Sequence, residues 1–234
     1  MSTSAATLSS LKTRLLQALM DSSGAIWSAN DQEEAIRRAL HEYSLVCPRR
    51  TVSSLALSGK LSANGREIDI ASLTALVTVT SVWAPYTAAD DKPNVRRFEH
   101  WFDQQKVYIA DGSALASTDT ARIFYTTPHT LNGLDSAGST TFRYGDDSIL
   151  LLGAIGYAAQ ARALDLTEQI TLDRQTVEHL RALAAESMTA FRQHLQRIQQ
   201  NAEVRLPQSS GSKTSAVQKE KTGVNNGLVA RDLP

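Results

Sequence analysis

The scarce chemical groups of this chain are five histidines and one cysteine, with two adjacent aspartate pairs, Asp90-Asp91 and Asp146-Asp147. An acid pair could hold a divalent cation, and His129, in Thr127-Pro128-His129-Thr130, is the histidine whose loop can approach a site. No histidine or further acid stands at ligand spacing from Asp146-Asp147. That pair therefore reads as the N-cap of a following helix, where a carboxylate meets free backbone N–H groups and the positive end of the helix dipole. Asp90-Asp91 reads as a polar loop. His41, His100, His179 and His194 fall on separate elements, and His129 reads as a structural hydrogen-bonding group. Ser/His/Asp sets can be assembled from any chain of this size and carry little information. Gly153-Ala154-Ile155-Gly156 follows a polar loop, not a strand, and lies inside a helical pattern, so it is not a phosphate loop. Cys47 is the single cysteine; it excludes an intrachain disulfide and any multi-thiolate metal site, and reads as a small buried hydrophobe. The expectation is a protein without catalytic residues, cofactor or metal. An enzyme using His129 and the Asp146 pair is the alternative from another class.

Composition sets wider bounds. The 234 residues suffice for one large domain or two small ones, and 42% are hydrophobic. Lys+Arg and Asp+Glu are 24 each, which argues against a general nucleic-acid-binding module with its basic excess. Arg49-Arg50 and Arg96-Arg97 are local basic pairs that flank strands and read as a solvated sheet rim. No charged segment followed by a continuous apolar run opens the chain, so no signal peptide is expected. The reading is a soluble protein, made inside the cell.

The elements that must position these residues begin with two helices. Leu8, Leu11, Leu15, Leu19 and Met20 recur at three- and four-residue steps, with Thr7 as N-cap and Gly24 as the stop. The second helix spans 30–45, capped by Asn30 or Asp31, with Ala35, Ile36, Ala39, Leu40 and Tyr43 as its apolar stripe. From about 50 to 126 the period changes from 3.6 to 2. Strands are expected at 51–57, 76–86, 96–102, 106–110 and 121–126, forming a compact antiparallel sheet or sandwich. Trp83, Phe98, Trp101 and Phe102 read as its core, ahead of a stacking platform. Residues 127–145 form a polar loop.

The next helix, 145–164, organises the rest. It carries no charge from Ile149 to Ala161. Its flanking acids and alanines fit a soluble core better than a membrane span. Gly153 and Gly156 each cost roughly 1 kcal/mol relative to alanine inside a helix. Close approach of another backbone is the compensation. Gly153, Gly156 and Ala161 are thus candidate packing residues, against a helix of the same chain or a neighbouring subunit. A final helix, from about 173 to 202, offers the seam Val177, Leu180, Ala184, Met188, Phe191, Leu195 and Ile198. After Leu206-Pro207 the composition turns polar. Alone in water this tail cannot build a core, and it reads as an interaction arm. The fold class expected is α+β: a helical bundle of two N-terminal and two long C-terminal helices, an inserted antiparallel β-rich segment, and an extended C-terminal arm. The divisions are 1–48 (N-terminal helices), 49–127 (β-rich insertion), 128–204 (C-terminal helical hairpin) and 205–234 (arm).

One run carries more than composition. Arg122-Ile123-Phe124-Tyr125-Thr126-Thr127-Pro128-His129-Thr130-Leu131-Asn132-Gly133-Leu134-Asp135-Ser136-Ala137-Gly138-Ser139-Thr140-Thr141 precedes Asp146-Asp147 and a Gly/Ala helix ending in Arg162-Ala163. With Ala35-Ile36-Arg37-Arg38-Ala39-Leu40-His41-Glu42-Tyr43-Ser44, it resembles virion proteins of tailed phages and prophages. It is most similar there to the head–tail adaptor (connector) proteins of the neck. The resemblance covers roughly residues 30–200, and the chain departs from the smallest adaptors by its longer β-rich segment. It implies a twelve-fold homo-oligomeric ring beneath the portal. The ring docks the tail or a second neck protein, and DNA passes through its lumen without sequence-specific binding. It implies no membrane, and a place in the virion neck after synthesis in the host cytoplasm. Under it, the arm residues Arg205, Leu206, Pro207, Lys213, Val217, Lys219, Lys221, Val224, Leu228, Val229, Arg231 and Leu233 contact the portal or a neighbouring ring. A tail-completion or minor capsid protein is the alternative structural role.

Overall fold

A computed structural model of the chain describes residues 6–21, 23–89, 94–167 and 174–204. Two helices precede an antiparallel β region and two follow it, so the fold is α+β. Helix α1 (Leu8–Ala18) starts at Thr7, whose hydroxyl accepts from the Ser10 N–H while Ser10 Oγ accepts from the Thr7 N–H. This reciprocal box satisfies two otherwise free amides. The helix stops before Gly24. Met20 turns left-handed (φ 55°) and donates its N–H to Gln17 O, and the Asp21 N–H reaches Leu16 O. Glycine usually fills that left-handed position, which is why the sequence pointed to the wrong stop. Asp21 then gathers the N–H groups of Ala25, Ile26 and Trp27 on its carboxylate. Burial pushes its pKa up, but those bonds and one from Ser23 outweigh it and hold the carboxyl below its ordinary value.

Helix α2 (Ala29–Val46) is capped by Ser28, not by Asn30 or Asp31. Asp31 is the third helical residue, and its carboxylate reaches back to the Ser28 N–H at 2.9 Å. An acid in the first turn looks like a cap in sequence whether it sits at the cap or closes the box from inside. The predicted stripe Ala35, Ile36, Ala39, Leu40 and Tyr43 is buried.

Seven strands follow among the described residues, where about five were expected. One antiparallel sheet has the order β1-β7-β3-β4, from β1 (Arg49–Ala56), β7 (Thr120–Thr127), β3 (Thr78–Trp83) and β4 (Val95–Arg96). The other has the order β2-β6-β5, from β2 (Glu67–Asp69), β6 (Lys106–Ile109) and β5 (Phe98–Trp101). Strands β5 and β6 form the expected hairpin, closed by a single helical turn over Phe102–Gln104. β2 and β4 have three and two residues, too few for a period-two pattern to declare itself.

The buried side chains form two groups. Leu55, Leu57, Ile68, Val79, Val82, Val107, Ile109, Ile123 and Tyr125 fill the space between the sheets. Leu11, Leu15, Ile36, Tyr43, Leu150, Ala154, Ala158, Phe191 and Leu195 join the four helices. Helix α3 (Asp147–Thr167) lies at the centre of that second group, packed against α1, α2 and α4 (Arg174–Val204). By length and composition alone α3 would suffice to cross a membrane. Here Ala154, Ala158, Ala159 and Ala163 are instead buried against protein.

Candidate assembly surface

The residues singled out in the sequence meet first where the β region leaves the helices and returns. The Tyr43 hydroxyl, near the end of α2, donates to Asp146 Oδ2 at 2.5 Å. Burial, then the bond to Asp146, raises the phenol pKa well above its ordinary value. Arg14 of α1 forms an ion pair with Asp147, the first residue of α3. The two carboxylates read as caps thus tie α3 to α2 and α1, while Asp147 also sits at the favourable end of the dipole. His129 stands beside them, edge-on to the Tyr43 ring at 5.2 Å between centroids. Its backbone N–H donates to Ser44 Oγ at 3.0 Å, and its ring Nδ1 lies 3.2 Å from Thr141 Oγ1. Burial lowers the His129 pKa and is opposed by bonds to the Cys47 and Thr141 backbone. Cys47 itself is half-buried against the helical core. Tyr43, Asp146, Asp147 and His129 thus each have a side-chain partner inside the protein. Among the described residues no three His, Cys, Asp or Glu side chains converge to hold a metal. His41, His100, His179 and His194 do not join it.

A second junction ties the C-terminal helices to α2. Glu42 accepts from the Tyr157 hydroxyl at 2.5 Å and from Arg192 Nε at 3.1 Å. Burial and this bond push the Tyr157 phenol up to about 12.

The glycines of α3 face partners within the chain. A Cβ on Gly153 would lie 3.0 Å from both Ala39 Cβ and the Phe191 ring. On Gly156 it would lie 2.6 Å from Met188 Cγ and 3.3 Å from the Met188 backbone nitrogen. At that separation a Cβ would force the Met188 side chain aside, so the hydrogen of Gly156 is what lets α4 pack this closely on α3. Ala161 is exposed and takes no part in this contact. Between the two helices lies an open groove of about 400 Å³, lined by Ala163, Leu164, Ala184 and Met188 together with Arg181 and Arg192. Leu164 is 61% exposed.

Several expectations are corrected. Arg96 does not lie on a solvated rim. It is buried, with Nε donating to Ala84 O at 2.5 Å and Nη1 toward Asp111 O at 3.4 Å. Trp101 and Phe102 are not core: both are exposed at the β5–β6 tip, where Trp101 stacks on Tyr108 at 5.5 Å. A hairpin tip has no opposing layer to cover it, and periodicity cannot register that. Phe98 packs partly on the sheet core. Asp90-Asp91 and the arm residues Arg205, Leu206, Pro207, Lys213, Val217, Lys219, Lys221, Val224, Leu228, Val229, Arg231 and Leu233 lie outside the described residues.

No protein-family model matches the chain, and no curated protein sequence matches it. Among solved structures, the chain is similar to one described as "Neck of native GTA particle computed with C12 symmetry". The identity is 13%, the match covers 76% of this chain and 92% of that one, and the TM-score is 0.27. A likeness at that score establishes neither a common fold nor a common role.

Proposed function

We propose that this protein is a structural component of a tailed-phage or prophage virion, a head–tail adaptor whose copies form a ring between portal and tail and leave DNA free to pass. The observation that supports it best joins sequence to geometry. The segments that carry the resemblance are 35–44, 122–141 and 146–163, far apart in the chain. They pack into one junction through Tyr43–Asp146, His129–Ser44 and the Arg37–Asp135 ion pair. What resembles the adaptors is therefore a contiguous piece of the molecule, not three unrelated matches.

In this reading the outward side of α3 and α4, with Ala161, Leu164 and the groove between the helices, provides the subunit contact. A head-to-tail contact of this kind closes into a ring and covers apolar surface that would otherwise recruit further copies. The arm, residues 205–234, runs over the portal or a neighbouring ring and adds many weak contacts, which act by avidity. No chemical turnover is assigned to the chain. Its place is the virion neck. Cryo-electron microscopy of virions tests the proposal. Density for this chain in a ring between portal and tail is the expected result. Density in the capsid shell or elsewhere in the tail, or absence from the particle, overturns it.

A further inference from the structure

We propose that the open face of the four-stranded sheet is a docking surface for an extended acidic segment of a partner protein, with one carboxylate flanked by apolar side chains and received by Arg122. This goes beyond the adaptor reading and does not depend on it.

The register places Ser54, Arg122, Trp83 and Val95 in one row across β1, β7, β3 and β4. The adjacent row holds Val52, Phe124 and Ser81. Alternation sends Leu55, Ile123 and Val82 to the opposite, buried face. The open face is apolar at its margins, with Val52 and Val95 exposed by 43% and 57%. At its centre the Arg122 guanidinium carbon lies 4.9 Å from the Tyr86 ring, 5.7 Å from Phe124 and 5.9 Å from Trp83. Nη1 donates to the Tyr86 hydroxyl at 2.5 Å, whereas Nε is buried without an acceptor.

Charge makes the choice of partner. The four strands of this sheet contain Arg49, Arg50, Arg96 and Arg122 and no acid. Arg14, Arg37, Arg38, Arg162 and Arg192 on the helices each pair with a carboxylate. Among the described residues Arg122 has none. Aromatic faces hold a guanidinium in place through cation–π attraction without neutralising it. A planar fork so held is preorganised for a carboxylate, and the apolar surroundings strengthen the pairing. Nucleic acid fits less well. The guanidinium covers the ring faces on which bases would stack, and stacking would have to displace it.

The test is selection of a displayed library of random short peptides on the full-length chain, followed by fluorescence anisotropy with the enriched peptides. Enrichment of Asp or Glu beside apolar residues is expected. These peptides should lose affinity about tenfold or more against Arg122→Gln, the loss of a hydrogen-bonded charge pair. Val52→Asp and Val95→Asp, at exposed positions that leave the core intact, should weaken binding similarly, with folding checked by circular dichroism. No enrichment, enrichment without acids, or equal binding to Arg122→Gln and both Val variants overturns the proposal. So does a fluorescent oligothymidylate that binds the wild type and loses that binding in Arg122→Gln, because the face would then serve nucleic acid.

Discussion

The Tyr43 hydroxyl donates to Asp146 Oδ2 at 2.5 Å across 103 residues of sequence. The whole β region is contained between these two side chains, so one hydrogen bond closes the neck through which it leaves and re-enters the helical body. Beside it, Arg14 pairs with Asp147 and His129 packs on the Tyr43 ring. The junction thereby joins α1, α2, α3 and the loop after β7.

Tyr43→Phe keeps the ring packing and deletes only this bond. Removing a hydrogen bond to a charged acceptor costs about 1–3 kcal/mol, and urea unfolding should show a loss of that size. Unchanged stability would mean that the junction is held by packing alone.

Gly156→Ala should destabilise the protein by about 1–3 kcal/mol, the usual range for overpacking. The added Cβ meets Met188 Cγ at 2.6 Å. In a Met188→Ala background the same change should be neutral or gain up to about 1 kcal/mol from helix propensity. A double-mutant cycle from thermal or urea unfolding checks the coupling. Additive effects would contradict the contact.

Burial holds the His129 pKa below its ordinary value. The unfolded chain then takes up a proton at higher pH than the folded one. Stability is full above the unfolded pKa of about 6.5 and declines as pH falls from there toward the lowered folded pKa. His100 shifts in the same direction, also through burial, so the wild-type slope contains both. His129→Gln should flatten the slope between neutral and mildly acidic pH relative to wild type, measured as urea midpoints across that range. An unchanged slope would remove His129 from the account.

Much of the helical body was legible in the sequence, because Ala35, Ile36, Ala39, Leu40 and Tyr43 repeat at helical spacing over several turns. The strands of β1, β3 and β7 were legible for the same reason at period two. What escaped depends on partners distant in sequence. Asp146 looks like any helix-capping acid until Tyr43 is brought to it. Arg96 looks like a rim charge until the Ala84 and Asp111 carbonyls enclose it. Trp101 and Phe102 have core composition and lie at an uncovered hairpin tip. Arg122, in the run that carries the family resemblance, has no local feature that marks its ring of aromatic neighbours.

In the proposed function the arm, residues 205–234, serves docking and not folding. Deleting residues 208–234 should leave the thermal unfolding midpoint unchanged and weaken retention on immobilised portal protein. Equal retention of the truncated and full-length chains would rule out the arm as a docking element.

The central claim is assembly into a ring on the portal. Native mass spectrometry of the full-length chain, alone and mixed with the portal ring of the same virion, tests it most directly. The account predicts a monomer alone and, on the portal, a single closed complement of copies matching a twelve-fold ring. A chain that stays monomeric in the presence of portal would contradict it.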